Sequence, residues 1–219
     1  SELFNYSGAR SWNEKQSWKN QRTIIKCFMK NFGKCIIFSA PSGSGKTTLV
    51  KDLLHKADLN LRFSVSATTR NKRTGEVEGK DYFFKSKKEF NKLIKNDLLL
   101  EYEEVYKDIF YGTLKEEVSK LLKIQNVIFD IDVVGGIKLK NFFKDDALSV
   151  FVKPPSIDIL KQRLVSRDSD SLKSIQSRVL KAELEILREP EFDLTLINDN
   201  LKVAKKESYE IVKNFLING

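Results

Sequence analysis

Cysteine is scarce: Cys27 and Cys35 are the two in 219 residues, and they do not have metal-ligand spacing. Both lie in or beside apolar segments and read as reduced packing residues of a cytosolic chain, with a single bridge between them as the alternative. Long hydrophobic runs are missing as well. No apolar stretch approaches the roughly 20 residues that a membrane-crossing helix needs. Residues 1–20 are polar and lack the hydrophobic centre of a signal peptide. There is no internal repeat and no low-complexity linker. Acidic residues are outnumbered, 30 Asp and Glu against 39 Lys and Arg, for a formal charge of +9. Such an excess suits nucleic acid, an anionic membrane or small phosphorylated ligands. No aromatic–basic reading motif accompanies it, and most lysines sit beside acids, as around Lys85, Lys87, Lys88 and Glu89, so nucleic-acid binding is not expected.

What is present is ordinary globular material, 41% apolar and 32% charged, enough for one α/β core and a small inserted lobe. Near the N-terminus Ile25, Phe28, Met29 and Phe32 fall at i, i+3, i+4 and i+7. That spacing predicts an amphipathic packing helix in an extension over residues 1–33, anchored by Trp12 and Trp18. Cys35–Ser39 is a continuous apolar run, the pattern of a strand buried on both faces, and a helix over 46–56 follows a glycine turn. Residues 126–132, 148–152 and 192–198 repeat the buried-strand pattern, and 201–216 reads as a closing helix. Strands alternating with helices predict a parallel sheet with helices on both faces, built from 34–60 and 113–219.

Residues 61–112 differ. Short strands are expected at 63–66, 81–84 and 98–105, with one helix to residue 95 opened by a capping box from Ser86 to Glu89. A second box, Thr113 to Glu116, is expected to start the helix that returns to the core. This region reads as a small, mostly antiparallel inserted lobe.

The glycine turn carries the first chemistry. Ala40, Pro41, Ser42, Gly43, Ser44, Gly45, Lys46 and Thr47 match Gly-x-x-x-x-Gly-Lys-[Ser/Thr] except at Ala40, and the motif follows a strand and opens a helix as a phosphate-binding loop should. Gly43 and Gly45 allow backbone N–H groups to converge on phosphate oxygens at a helix N-terminus. Ser42 to Thr48 are therefore expected to hold a nucleoside triphosphate, with Lys46 on the β- and γ-phosphates and the Thr47 hydroxyl on Mg²⁺.

The stretch SVSATTR from Ser64 to Arg70, then Arg73, then GEVEGKDYFF from Gly75 to Phe84, resembles the signature of guanylate kinases. The likeness extends over most of 33–216 and takes in the glycine turn, Asp130 to Asp132, an arginine-bearing segment, and Asn198 with Asp199. It implies a P-loop kinase fold with a GMP-binding lobe over 61–112 and a helical lid over about 156–188. It also implies transfer of the γ-phosphoryl of Mg-ATP to GMP, with dGMP as a second acceptor. Carried over residue by residue, it assigns the GMP phosphate to Arg70, Arg73, Tyr82 and Tyr111, where guanidiniums and phenols orient a dianion. It assigns guanine to Ser66, Glu101, Thr113 and Asp132. A carboxylate such as Glu101 accepts from N1–H and the 2-amino group of guanine, whereas adenine would face it with an acceptor; Ser66 and Thr113 hydroxyls would donate to the O6/N7 edge. Lys46, Arg70, Arg163, Arg167 and Arg178 are the expected catalytic cations, Asp130 the residue holding the metal through water, and Asn198 with Asp199 the adenine-side loop.

Two positions depart from the family pattern. The spacing from Glu101 to Tyr111 is one residue longer, which predicts a bulge near Lys107 and Asp108, and Val134 stands where a glutamine is common. Because the acceptor is already an ionised phosphate oxygen, no general base is needed; alignment and charge stabilisation suffice. A non-catalytic guanylate-kinase-like scaffold, a kinase for another nucleoside monophosphate and a basic nucleic-acid-dependent ATPase are the rival readings. Intact Lys46 and Thr47 argue against the first, and Glu101 with Ser66 and Thr113 against the second. The expectation is a cytoplasmic monomer that binds no nucleic acid and no membrane.

Overall fold

The computed structural model describes residues 32–166 and 172–218. The expectations for Trp12, Trp18, Ile25, Phe28, Met29, Cys27 and Arg167 lie outside them. Chain order runs β1 (Cys35–Ser39), α1 (Lys46–Leu54), β2 (Leu61–Phe63), β3 (Ala67–Thr68), β4 (Phe83–Phe84), α2 (Lys87–Lys95), β5 (Leu99–Tyr106) and β6 (Ile109–Leu114). It continues with α3 (Lys115–Leu122), β7 (Asn126–Ile131), α4 (Val133–Phe143), β8 (Ala147–Lys153), α5 (Ile157–Val165), α6 (Leu172–Ile186), β9 (Leu194–Ile197) and α7 (Leu201–Asn218).

Five strands form a parallel sheet in the order β2-β7-β1-β8-β9. β1 lies at its centre and is fully buried, which explains why CIIFS has no polar alternation. Its side chains nonetheless divide by the period of two. Ile36 and Phe38 pack with Leu49, Val50 and Leu53 of α1 and Ala204 and Val212 of α7 on one face. Cys35 and Ile37 pack with Val118 and Leu122 of α3 and Leu139 and Phe143 of α4 on the other. Cys35 is a free, buried thiol, and burial pushes its pKa well above the usual range. The fourth apolar segment is not enclosed as its sequence predicts: among the described residues β9 is an edge strand, and Leu194 and Ile197 are exposed while Leu196 is buried.

The lobe is a separate four-stranded sheet, β4-β3-β6-β5, antiparallel at β3/β6 and β5/β6 and parallel at β3/β4. Its core is small, with Phe90 of α2 buried against Ala67 and Leu99; a phenylalanine buried there contributes about 1.5–3 kcal/mol. The Ser86 capping box forms as predicted, Ser86 Oγ accepting from Glu89 N and Glu89 from Ser86 N. Two expectations need correction. The strand placed at 63–66 is Leu61–Phe63, and it pairs with β7 in the core sheet, so the chain enters the lobe only after it. The second capping box does not form: Thr113 is a buried strand residue, Leu114 occupies the cap position, and the Thr113 hydroxyl is committed elsewhere. Beyond β8, α5 and α6 pack on each other through Leu160, Leu164, Ile175 and Ala182. No helix among the described residues is long and apolar enough to cross a membrane.

Candidate active site

The glycine turn joins the end of β1 to the start of α1 at the C-terminal edge of the parallel sheet, where adjacent β7 ends as well. Gly43 (φ 97°) and Gly45 (φ 88°) both take left-handed conformations that disfavour side chains. Gly45 is also spatially required, since a Cβ there would come within 2.3 Å of Asn198 Nδ2. Ala40 is buried and has no positive φ, so the departure at that position imposes no backbone strain. Lys46 opens α1 and pairs with Asp130 near the end of β7. Burial lowers the Lys46 ammonium to about 8, against the pull of the Asp132 and Glu185 carboxylates.

Turn and lobe face each other across a cleft of about 320 Å³. From the core it is lined by Ser42, Gly43, Gly45, Lys46, Thr47, Thr48, Asp130 and Asp132, and from the lobe by Ser66, Tyr82, Glu101 and Tyr111. These residues are up to 90 positions apart in sequence, and the crossing of the two sheets brings them together. Ser44 is buried beneath the turn instead of lining the cleft.

Glu101 is the buried acid of the lobe wall, 6% exposed. Burial raises its carboxyl to about 7, a hydrogen bond from Thr113 Oγ1 at 2.6 Å opposes the rise, and the Asp132 charge adds to it. Thr113, expected to face the base edge, donates to Glu101 instead, so the two act as one polar unit. Gly135 makes the space, because a Cβ there would meet the Ile131 side chain at 2.7 Å and Glu101 Oε2 at 3.0 Å. Asp132 has a structural role besides: it caps α4, accepting from Val134 N and Gly135 N. Its charge thereby lies at the helix N-terminus and beside the cleft.

Around the lobe mouth, Arg70 makes a fork with Glu76, at 2.7 and 3.1 Å, and its guanidinium lies 5.2 Å from the Tyr82 ring and 5.8 Å from Phe84. Tyr82 and Tyr111 meet edge-on at 5.8 Å. The extra residue between Glu101 and Tyr111 is absorbed by a register shift between Glu104 and Tyr106 and a left-handed Asp108, so Tyr111 still faces Tyr82. Arg73 is exposed and outside the cleft wall; its backbone N–H donates to Glu76.

The arginine-bearing segment divides. Arg178 lies in the middle of α6 and reaches the cleft. Lys181 and Glu185 line the cleft with it, two residues that sequence reasoning missed. Their spacing, three and then four residues along from Arg178, puts all three on one helix face, and that was the available signal. Arg163 lies away from the cleft and donates from Nη2 to the Asn198 carbonyl at 2.9 Å. Asn198 is buried and does not line the cleft, whereas Asp199 is exposed. Among the described residues no cluster of three or more His, Cys, Asp or Glu is disposed to hold a metal.

Beside this arrangement, a glycine turn with a half-buried lysine facing a buried carboxylate, stands a match of residues 32–217 to the family model of guanylate kinase. The chain belongs to the guanylate kinase family. A guanylate kinase of Bacteroides thetaiotaomicron is 53% identical over 185 residues, which cover 84% of this chain and 90% of the relative. The guanylate kinase of Porphyromonas gingivalis is 47% identical over 184 residues, covering 84% and 98%. The crystal structure of guanylate kinase from Anaplasma phagocytophilum matches with a TM-score of 0.70 at 27% identity, over 87% of this chain and 89% of that one. Membership makes this chain a nucleotide-binding transferase, a nucleoside monophosphate kinase of the guanylate kinase kind.

Proposed function

We propose that the cleft moves the γ-phosphoryl of ATP to GMP, and to dGMP, with the triphosphate on the glycine turn and the guanine on the lobe wall. The observation that carries this reading is the opposition of Lys46 with Asp130 to the buried Glu101–Thr113 pair across one cleft. Gly43, Gly45, Ser42, Ser44 and Thr48 shape the phosphate cradle, and Lys46 neutralises the β- and γ-oxygens. Thr47 is exposed at the first turn of α1 and Asp130 reaches the same end of the cleft, so this pair fits Mg²⁺ held mainly by phosphates and water. Bound there, Mg²⁺ would neutralise charge on the triphosphate.

On the acceptor side, Glu101, oriented by Thr113, accepts from guanine N1–H and the 2-amino group, with Ser66 and Asp132 completing the reading. A base with an acceptor at N1 leaves Glu101 buried and unpaired, which costs such a site far more than an apolar mismatch. Arg70 and Arg73, with Tyr82 and Tyr111, orient the GMP phosphate. Arg70 is already fork-bound to Glu76, so its guanidinium is held in a fixed plane before substrate arrives. Closure of α5 and α6, a lid over about 156–188, brings Arg163, Arg167 and Arg178 toward the transferring group and excludes water. The same reading makes the enzyme a cytoplasmic monomer whose partners are nucleotides, without nucleic acid or membrane.

The test is ADP formation from Mg-ATP with GMP, AMP, CMP or UMP as acceptor. Turnover with GMP alone, lost in Lys46→Ala, is expected; equal turnover with AMP would overturn the assignment of Glu101.

A further inference from the structure

The geometry points to Asn198 as a positioning residue that holds the glycine turn from behind and ties it to α5, an inference that rests on the turn being the ATP site. Four observations meet at this residue, two of them at its side chain. Its Nδ2 donates to the Ser44 carbonyl at 2.7 Å, a buried hydrogen bond across 154 residues of sequence. That same nitrogen fills the space a Cβ of Gly45 would need, at 2.3 Å, so the turn closes directly onto the amide. The Asn198 main-chain carbonyl accepts from Arg163 Nη2 of α5 at 2.9 Å, and its main-chain N–H donates to the Lys153 carbonyl at the end of β8. Asn198 is 4% exposed and does not line the cleft, so the amide serves the turn and not a base.

A glycine turn gains its anion affinity from fixed backbone geometry, and glycines do not fix it by themselves. The Ser44 carbonyl sits between the two left-handed glycines, the most pliable point of the turn. One donor from the end of β9 pins that point, and Arg163 pins the donor. Movement of α5 is thereby transmitted to the turn through a single residue. The Ser44 hydroxyl, Arg163 Nη1 and Asn198 Oδ1 are also buried at this junction without partners among the described residues, so the junction has polar capacity to spare for a second arrangement.

The experiment is steady-state kinetics of Asn198→Asp and Asn198→Ala with each substrate varied in turn, alongside melting temperatures with and without Mg-ATP. Asp keeps the shape and removes the donor. The expected result is a rise in KM for ATP of about tenfold, the size expected when a buried carbonyl loses its partner. KM for GMP should stay within twofold, and the ATP-induced rise in melting temperature should shrink. The inference is overturned if KM for ATP is unchanged in both variants. It is equally overturned if KM for ATP and GMP and the unliganded melting temperature all worsen together, which would make Asn198 a general structural residue. Should neither variant fold, amide exchange in the wild type decides: the Asn198 side-chain amide should be protected, and more so with an ATP analogue than with GMP, and equal protection in both would refute the linkage. Wild-type turnover of ATP with GMP in the same assay tests the site reading separately.

Discussion

The two walls of the cleft bury one charge each and treat it in opposite ways. On the core wall Lys46 has its pKa lowered to about 8 and Asp130 against it. On the lobe wall Glu101 is raised to about 7 and has a neutral hydroxyl against it. Desolvation acts on both and favours the uncharged form of each. The core wall compensates with an opposite charge and so keeps its lysine ready for an anion. The lobe wall compensates only with a hydrogen bond and leaves its carboxylate short of donors, which a base carrying two adjacent N–H groups would supply. One wall is built to accept charge and the other to accept hydrogen bonds.

Removing the charge of each wall in turn is the sharpest way to break this comparison. Lys46→Ala should lower kcat by about 10³-fold, the scale of losing a preorganised charge in a dry site, measured as ADP release at saturating GMP. A loss smaller than tenfold would mean that the turn's backbone carries the phosphates alone. Glu101→Gln should lower kcat/KM for GMP by about 10²-fold, because its amide presents a donor where guanine presents donors. KM for ATP should not move, and a parallel change in it would mean that the two walls are not independent.

Stability against pH should sharpen the same contrast. A carboxyl whose folded pKa, about 7, lies above its ordinary 4.5 holds its proton more tightly in the folded state. The folded state therefore binds more protons between these values, and unfolding free energy falls as pH rises from 4.5 through 7, then levels off. Glu101→Gln removes the penalty. The variant should be more stable than the ligand-free wild type by roughly 3 kcal/mol at pH 8, and equal to it near pH 4. Denaturant melts at the two pH values check this, and a constant difference at both would place the effect in packing rather than in charge.

The two walls were also unequally legible in the sequence. The glycine turn is made by the backbone of consecutive residues, so its chemistry is written in a run from Ala40 to Thr48 with a strand before and a helix after. The guanine-side set combines lobe side chains from β5 and β6 with a core residue just past β7, and nothing local joins Glu101, Thr113 and Asp132; those residues were found through family resemblance. Local signals also misled where tertiary contacts took the group. Thr113 has the spacing of a capping box, but its hydroxyl goes to Glu101. The family resemblance puts Asn198 in the adenine-side loop, whereas its amide turns beneath Gly45. Lys181 and Glu185 passed unnoticed because a charged helix face usually meets water, and only the packing of α6 shows that this one meets the cleft.

The smallest effect expected comes from a site where local sequence and structure agree. Ser86 caps α2 through its hydroxyl, and Glu89 closes the box from the other side. Ser86→Ala removes one acceptor at an exposed helix start, at a cost of about 1 kcal/mol. The lobe's own core is small, Phe90 with Ala67 and Leu99 and a shell of partly buried residues, so a loosened helix there loosens the lobe before the larger core. If the lobe opens independently, amide exchange should accelerate in 86–114 by about fivefold while β1 and β7 keep their protection. Because Glu101 and Tyr111 lie on that lobe, KM for GMP should rise slightly and KM for ATP should not. Uniform acceleration across both sheets would instead show that lobe and core unfold as one unit, and that the walls differ in chemistry but not in stability.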